Sequence, residues 1–281
     1  MKISVNNLII MFVVLLLTAM FDNLIWPFPE QDFWIVLSMQ LGIALVSVSP
    51  IGSFFLRLLF GSRKPQTREE IERLSELFNE VYDEVKAQYP KIQKNINYYI
   101  DDSLDINAYA IGSNTITVTK GSLMNLSDEE LKGILGHEFG HIVNGDTALQ
   151  SFLLVGNTVF WILWVMAKLI QLVFLAVGIF MDDDFALAKF FGFCSNLLMN
   201  LAFFLVQCLL LINSRVNEFK ADKFSYTLGY GEGLLKVLYV LNEFTMGQKM
   251  TALEKIKSSH PNTVERIGAM ERMLMNNEAL A

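Results

Sequence analysis

The residues best suited to chemistry are gathered in Gly136-His137-Glu138-Phe139-Gly140-His141, an H-E-x-x-H pattern. On an α-helix, positions i and i+4 share a face one turn apart, so His137 and His141 can present two imidazoles to one cation. Glu138, three residues before His141, is close enough to share that site. Two imidazoles with a carboxylate beside them supply a zinc ligand pair and a candidate base for hydrolysis. The alternative is two ordinary histidines on a helix. Composition argues against it, because the chain holds only three histidines and two of them make the motif. The third, His260, lies in Ser259-His260-Pro261.

A helix must carry this pattern, and the preceding residues start one. Ser127 is a good N-cap, Glu130 completes a capping box, and Asp128 and Glu129 suit the positive helix end. Leu131, Ile134, Leu135 and Ile142 give a mainly apolar side. Gly133, Gly136 and Gly140 each cost about 1 kcal/mol of helix propensity relative to Ala. Their spacing makes a stripe without side chains beside the histidines, which predicts that another element packs very close there.

A hydrolytic zinc site needs three protein ligands and one open position. Acidic residues number 29, so spacing must select the third ligand. Glu218 is the expected one, because Glu218 and Asp222 share a helical face, as do Arg215 and Glu218. Asp222 would then accept a hydrogen bond from a ligand imidazole and fix its tautomer. Two readings compete: an exposed charged face through Arg215, Glu218, Lys220 and Asp222, and His260 as the ligand on a simple count of histidines. Against the exposed face the chain path favours Glu218, since an apolar hairpin over 152–212 returns the chain to the membrane face it left; the count of histidines leaves His260 open at this point. If the last span continues as helix, Glu218 lies about 9 Å beyond Ile212.

Composition agrees with a membrane setting. The hydrophobic fraction is 53% and the mean hydropathy +0.38, too apolar for an ordinary soluble domain. A net charge of −7 argues against nucleic acid as a partner. Cys194 and Cys208 fall in one apolar segment, about 21 Å apart if it is helical, too far to bridge. The first apolar run, 8–21, is read as a retained helix, because no small-x-small cleavage site follows it. The second, 33–60, exceeds the roughly 20 residues needed to span, with Pro50 the expected kink.

Between 65 and 150 the chain reads as water-soluble. Thr67 and Glu70 make a second capping box, and Ile71, Leu74, Phe78, Val81, Val85 and Tyr89 follow helical spacing up to Pro90. Strands are expected at Asn95–Ile100, Asn107–Ile111 and Thr115–Thr119, with Gly112-Ser113-Asn114 as a turn. Two further spans, 152–180 and 186–212, carry Lys168, Gln171, Asn196, Asn200 and Gln207, read as helix–helix hydrogen bonds and a snorkelling lysine, with the lining of a wet cavity as the alternative. The expected organisation is a transmembrane hairpin at 1–60, a first catalytic part at 61–150, a second hairpin at 151–212 and a second catalytic part at 213–281. Basic residues at Lys2, Arg57–Lys64 and Arg215 fall on one side, so the positive-inside rule puts both termini and the soluble parts in the cytoplasm.

Five stretches carry a family resemblance: Asp105-Ile106-Asn107-Ala108-Tyr109-Ala110, Leu126-Ser127-Asp128-Glu129-Glu130, His137 to Asp146, Glu218-Phe219-Lys220-Ala221-Asp222, and Ser259-His260-Pro261 with Arg266-Ile267. In this order they resemble the HtpX-type heat-shock membrane proteases, gluzincin relatives of the CAAX prenyl protease. The segment between Asp222 and His260 is shorter than in typical members. The resemblance implies a mainly α zincin-like α+β domain carried on four transmembrane helices in the cell inner membrane. It also implies one Zn²⁺ per chain and cleavage of damaged or misfolded membrane proteins in quality control. Glu138 is then the general base and His260 an oxyanion donor with Arg266 behind it; a helix cap is the plainer role for His260. Asp146 joins Asp222 behind the ligands. The edge Asn107-Ala108-Tyr109-Ala110 would hold substrate as an added strand. A divalent-metal transporter and a catalytically silent scaffold are the alternatives.

Overall fold

The computed structural model describes residues 3, 5–25, 30–92, 95–112, 114–153, 214–246 and 263–278, with isolated positions between 162 and 197. The second apolar hairpin, for the most part, and His260 therefore lie outside the described residues. Three apolar helices open the chain: α1 (Val5–Ile25), α2 (Glu30–Ser47) and α3 (Pro50–Leu59). The kink expected at Pro50 is a full break. Ser49 caps α3 by accepting from the backbone N–H groups of Ile51 and Gly52, and Pro50 takes the first helical position, where its missing N–H is not needed. The result is a 76° bend between Leu37–Ser47 and α3. Among the described residues no single helix is long and apolar enough to cross a membrane, whereas this bent pair passes by length and composition.

Next comes α4 (Arg68–Gln88), then strands β1 (Asn97–Asp101), β2 (Ala108–Ile111) and β3 (Thr115–Thr119). Both expected capping boxes are present, Thr67 with Glu70 on α4 and Ser127 with Glu130 on the motif helix. The sheet order is β1-β3-β2, with β3 parallel to β1 and antiparallel to β2. β2 is therefore an edge strand of this sheet. Gly112 makes the β2–β3 turn at φ +60°, a left-handed conformation that favours glycine.

A short α5 (Lys120–Asn125) leads into α6 (Asp128–Asn144), which carries the histidines and ends at Gly145 in the left-handed region. There α7 (Asp146–Ser151) begins. The C-terminal part contributes α8 (residues 214–227), α9 (Gly231–Met246) and α10 (Thr263–Glu278). The core lies between α4, the sheet and α6. Leu74, Phe78, Val81 and Val85 of the α4 stripe are buried, while Ile71 and Tyr89 at its ends are exposed, Tyr89 still covering Phe224 at 4.9 Å. Phe139, inside the H-E-x-x-H pattern, points away from the histidines and packs on Phe78 and Tyr82 at 5.3 and 5.5 Å. Its full burial contributes on the order of 2–3 kcal/mol and fixes the rotation of α6, hence the direction of the imidazoles.

Candidate metal centre

The glycine stripe on α6 does what its spacing predicts. A Cβ on Gly140 would lie 2.9 Å from Cα of Ala221 and 3.1 Å from Cβ of Phe224, and one on Gly133 would land 2.3 Å from the backbone nitrogen of Leu234. Ser225 donates to the Gly133 carbonyl at 2.8 Å across the same contact. The missing side chain at Gly133 admits α9, and those at Gly136 and Gly140 let α8 cross α6 at near-backbone distance. That crossing carries Glu218 and Asp222 onto the histidine face.

The ligand atoms converge. His137 Nε2 and His141 Nε2 are 3.1 Å apart, and Glu218 presents Oε2 at 3.4 Å from the first and Oε1 at 3.5 Å from the second. A tetrahedral ion with bonds of about 2.0–2.1 Å sets its ligand atoms about 3.3–3.4 Å apart, so this trio fits one zinc without rearrangement. Behind the ligands, Asp222 Oδ1 lies 2.8 Å from His137 Nδ1 and Asp146 Oδ2 lies 3.1 Å from His141 Nδ1. Each carboxylate favours the tautomer with the proton on Nδ1, which leaves the Nε2 lone pairs facing inward.

Electrostatics call for a cation here. Among the described residues, Glu138, Glu218, Asp222 and Asp146 are all buried beside the two histidines, with the guanidinium of Arg266 against them. These carboxylates outnumber that guanidinium among the described residues, and a divalent ion between the imidazoles would reduce the imbalance. The imidazoles register this demand. Burial alone pushes His137 down, but Asp222 and Glu218 outweigh it and hold the group above its ordinary value. Burial likewise opposes charge on His141, and Asp146 with Glu218 still holds it well above that range.

Arg266 is expected behind His260, which is not among the described residues. The structure has it on α10, donating to both oxygens of Asp222 at 2.8 and 2.6 Å and pairing with Glu218 Oε2 at 2.9 Å. A fork of this kind fixes a carboxylate's orientation as well as its charge. The other expected residues lie on β2 or just before it: Asn107, preceding the strand, is exposed, Ala108 and Ala110 are buried, and Tyr109 is half-buried. Burial pushes the Tyr109 phenol up to about 12, so it stays protonated and donates to Asp101 at 2.8 Å. A cleft of about 380 Å³ borders this strand between α3 and α7, with Leu56, Phe60, Tyr109 and Thr147 in its wall. Sequence reasoning missed Asn7, which lies fully buried on α1 and contacts Asp146. Its only signal is an amide at the start of an apolar run.

A glycine-stripe crossing that brings a helix-borne glutamate onto an H-E-x-x-H helix defines a metallopeptidase of the gluzincin type. The model of peptidase family M48 matches residues 68–274, most of the chain. A Protease HtpX from Tolumonas auensis is 30% identical, covering 74% of this chain and 75% of that protein. A Protease HtpX homolog from Nostoc punctiforme is 26% identical over 86% of this chain and 90% of its own length. The crystal structure of S. mikatae Ste24p superposes with a TM-score of 0.55 at 17% identity, over 89% of this chain and 61% of that one, and shows the shared fold. The chain belongs to peptidase family M48, as a metalloprotease of the HtpX type.

Proposed function

We propose that this chain is a membrane-bound zinc endopeptidase, holding one zinc per chain through His137, His141 and Glu218, that cleaves damaged or misfolded membrane proteins. The observation that carries the reading is the convergence of these three ligands on one point, with Glu138 buried on the same helix as the histidines. When bound, zinc supplies Lewis acidity that polarises the scissile carbonyl and makes water more acidic. Glu138 accepts the proton of the attacking water and delivers it to the leaving amine as the C–N bond breaks. Asp222 and Asp146 keep the two imidazoles in the coordinating tautomer, and Arg266 holds Asp222 and Glu218 in place. Substrate pairs along Asn107, Ala108, Tyr109 and Ala110, where main-chain hydrogen bonds accept many sequences. His260 steadies the oxyanion.

The membrane part of the proposal has separate support. Exposed apolar side chains run along all three N-terminal helices, among them Leu8, Phe12, Met39, Leu45, Phe54 and Leu58. With the apolar segment at 152–212, this favours four spans, a catalytic domain split as 61–150 and 213–281, and an inner-membrane location with the domain in the cytoplasm. A transporter would need ligands at bilayer depth, whereas these flank the apolar segments. A silent scaffold would have no use for Glu138. Proteoliposomes carrying the wild type and Glu138→Gln separate the readings. Peptide cleavage by the wild type alone, with zinc retained in both, is expected. Cleavage at wild-type rate by Glu138→Gln, or zinc flux without cleavage, would sink the proposal.

A further inference from the structure

The residues nearest the metal are not the whole of its support. Asn7 sits in the first turns of α1, 0% exposed, 138 and 139 positions from the residues it touches. Its Nδ2 donates to the carbonyl of Gly145 at 3.2 Å and to Oδ1 of Asp146 at 3.1 Å. Both partners are acceptors, so the amide must present its NH₂ to them and spends both hydrogens doing so. The other oxygen of Asp146 holds His141 Nδ1 at 3.1 Å. Gly145, at φ +75°, is the left-handed turn between the motif helix and α7. Asn7 therefore grips the turn by its backbone and the carboxylate by its free side, one bond removed from a metal ligand.

The placement of α1 keeps this grip in register. Val14, one heptad after Asn7 and on the same helical face, packs with Leu149 and Phe152 at the end of α7. A buried amide in so apolar a helix is costly unless its hydrogen bonds are made. We infer that Asn7 is a positioning residue of the metal centre, so that α1 is part of the zinc site and not only an anchor. The inference rests on the proposed zinc site. Its mechanism is indirect: the amide orients Asp146, and Asp146 orients His141.

The test is a double-mutant cycle on the full chain in detergent, read as zinc affinity by competition with a chelator. Asn7→Leu removes both donors at nearly constant volume. It is expected to weaken zinc about 10-fold in the wild-type background and by less than about 2-fold in an Asp146→Ala background, where the carboxylate it orients is gone. An equal loss in both backgrounds would reduce Asn7 to a packing role, and no loss in either would remove it from the site. Asn7→Ser, which shortens the side chain beyond reach of Asp146, runs the same cycle if the leucine variant does not fold. Absence of zinc from the wild type would instead overturn the zinc reading, so the two failures are distinguishable.

Discussion

At the scale of single residues, the site separates atoms that face the metal position from atoms that steer them. Glu218 belongs to the first group and Asp222 to the second, although both are buried acids one helical turn apart on α8. The distances draw the distinction: Glu218 oxygens stand 3.4 and 3.5 Å from the two Nε2 atoms, while Asp222 meets His137 from the Nδ1 side. Glu218→Ala is accordingly expected to abolish tight zinc binding, and Asp222→Ala to weaken it about 10–100-fold. His260→Ala should keep zinc and slow hydrolysis about 10²–10³-fold, the usual loss for one oxyanion donor. Chelator competition with a peptide assay across the three variants reads this order. Zinc loss on His260→Ala with none on Glu218→Ala would exchange their roles.

Elements position those residues through close packing more than through polar contacts. The H-E-x-x-H helix is locked on one side by Phe139 against Phe78 and Tyr82, and on the other by glycines that admit α8. Gly140→Ala would put a methyl group 2.9 Å from the α8 backbone at Ala221, where no flexible side chain can yield. We expect it to push α8 away, costing about 1–3 kcal/mol of stability and also lowering zinc affinity, because Glu218 and Asp222 move with the helix. A thermal melt and a zinc titration on one preparation check this. Lost stability with wild-type zinc affinity would show that α8 adjusts without moving the ligand.

Much of this packing is legible in the amino-acid sequence. Capping boxes are local signals, and both are present where Thr67-x-x-Glu70 and Ser127-x-x-Glu130 place them. The glycine spacing implies a close neighbour, and the alternation Thr115 to Thr119 implies a strand. The fork from Arg266 to Asp222 and Glu218, and the reach of Asn7 to Asp146, are not legible there. These contacts join residues 44 and 139 positions apart, and no local pattern encodes which buried acid a distant cation or amide will meet.

At the scale of the whole molecule, the three described apolar helices border the part of the chain that carries the candidate site. α3 turns 76° from α2, leaves Ile51, Phe54, Phe55, Leu58 and Leu59 exposed, and puts Leu56 and Phe60 into the wall of the cleft beside β2. On the proposed reading such a helix would lie at the membrane–water interface, with its outer face in lipid and its inner face toward the proposed substrate edge. Impermeant thiol labelling of single cysteines in intact cells should then reach residues 25–30 and 182–184 from outside and residues 62–66 only after the cells are opened. Labelling in the reverse order would invert the topology and put the catalytic domain on the wrong side for the proposed substrates.

All of these expectations depend on one metal held by three named residues. Anomalous scattering at the zinc edge, from crystals of the purified full chain, locates that metal directly. The predicted result is a single peak within about 2.0–2.2 Å of His137 Nε2, His141 Nε2 and a Glu218 oxygen. A peak ligated by His260 in place of Glu218, or no zinc peak between the two histidines, would contradict the account.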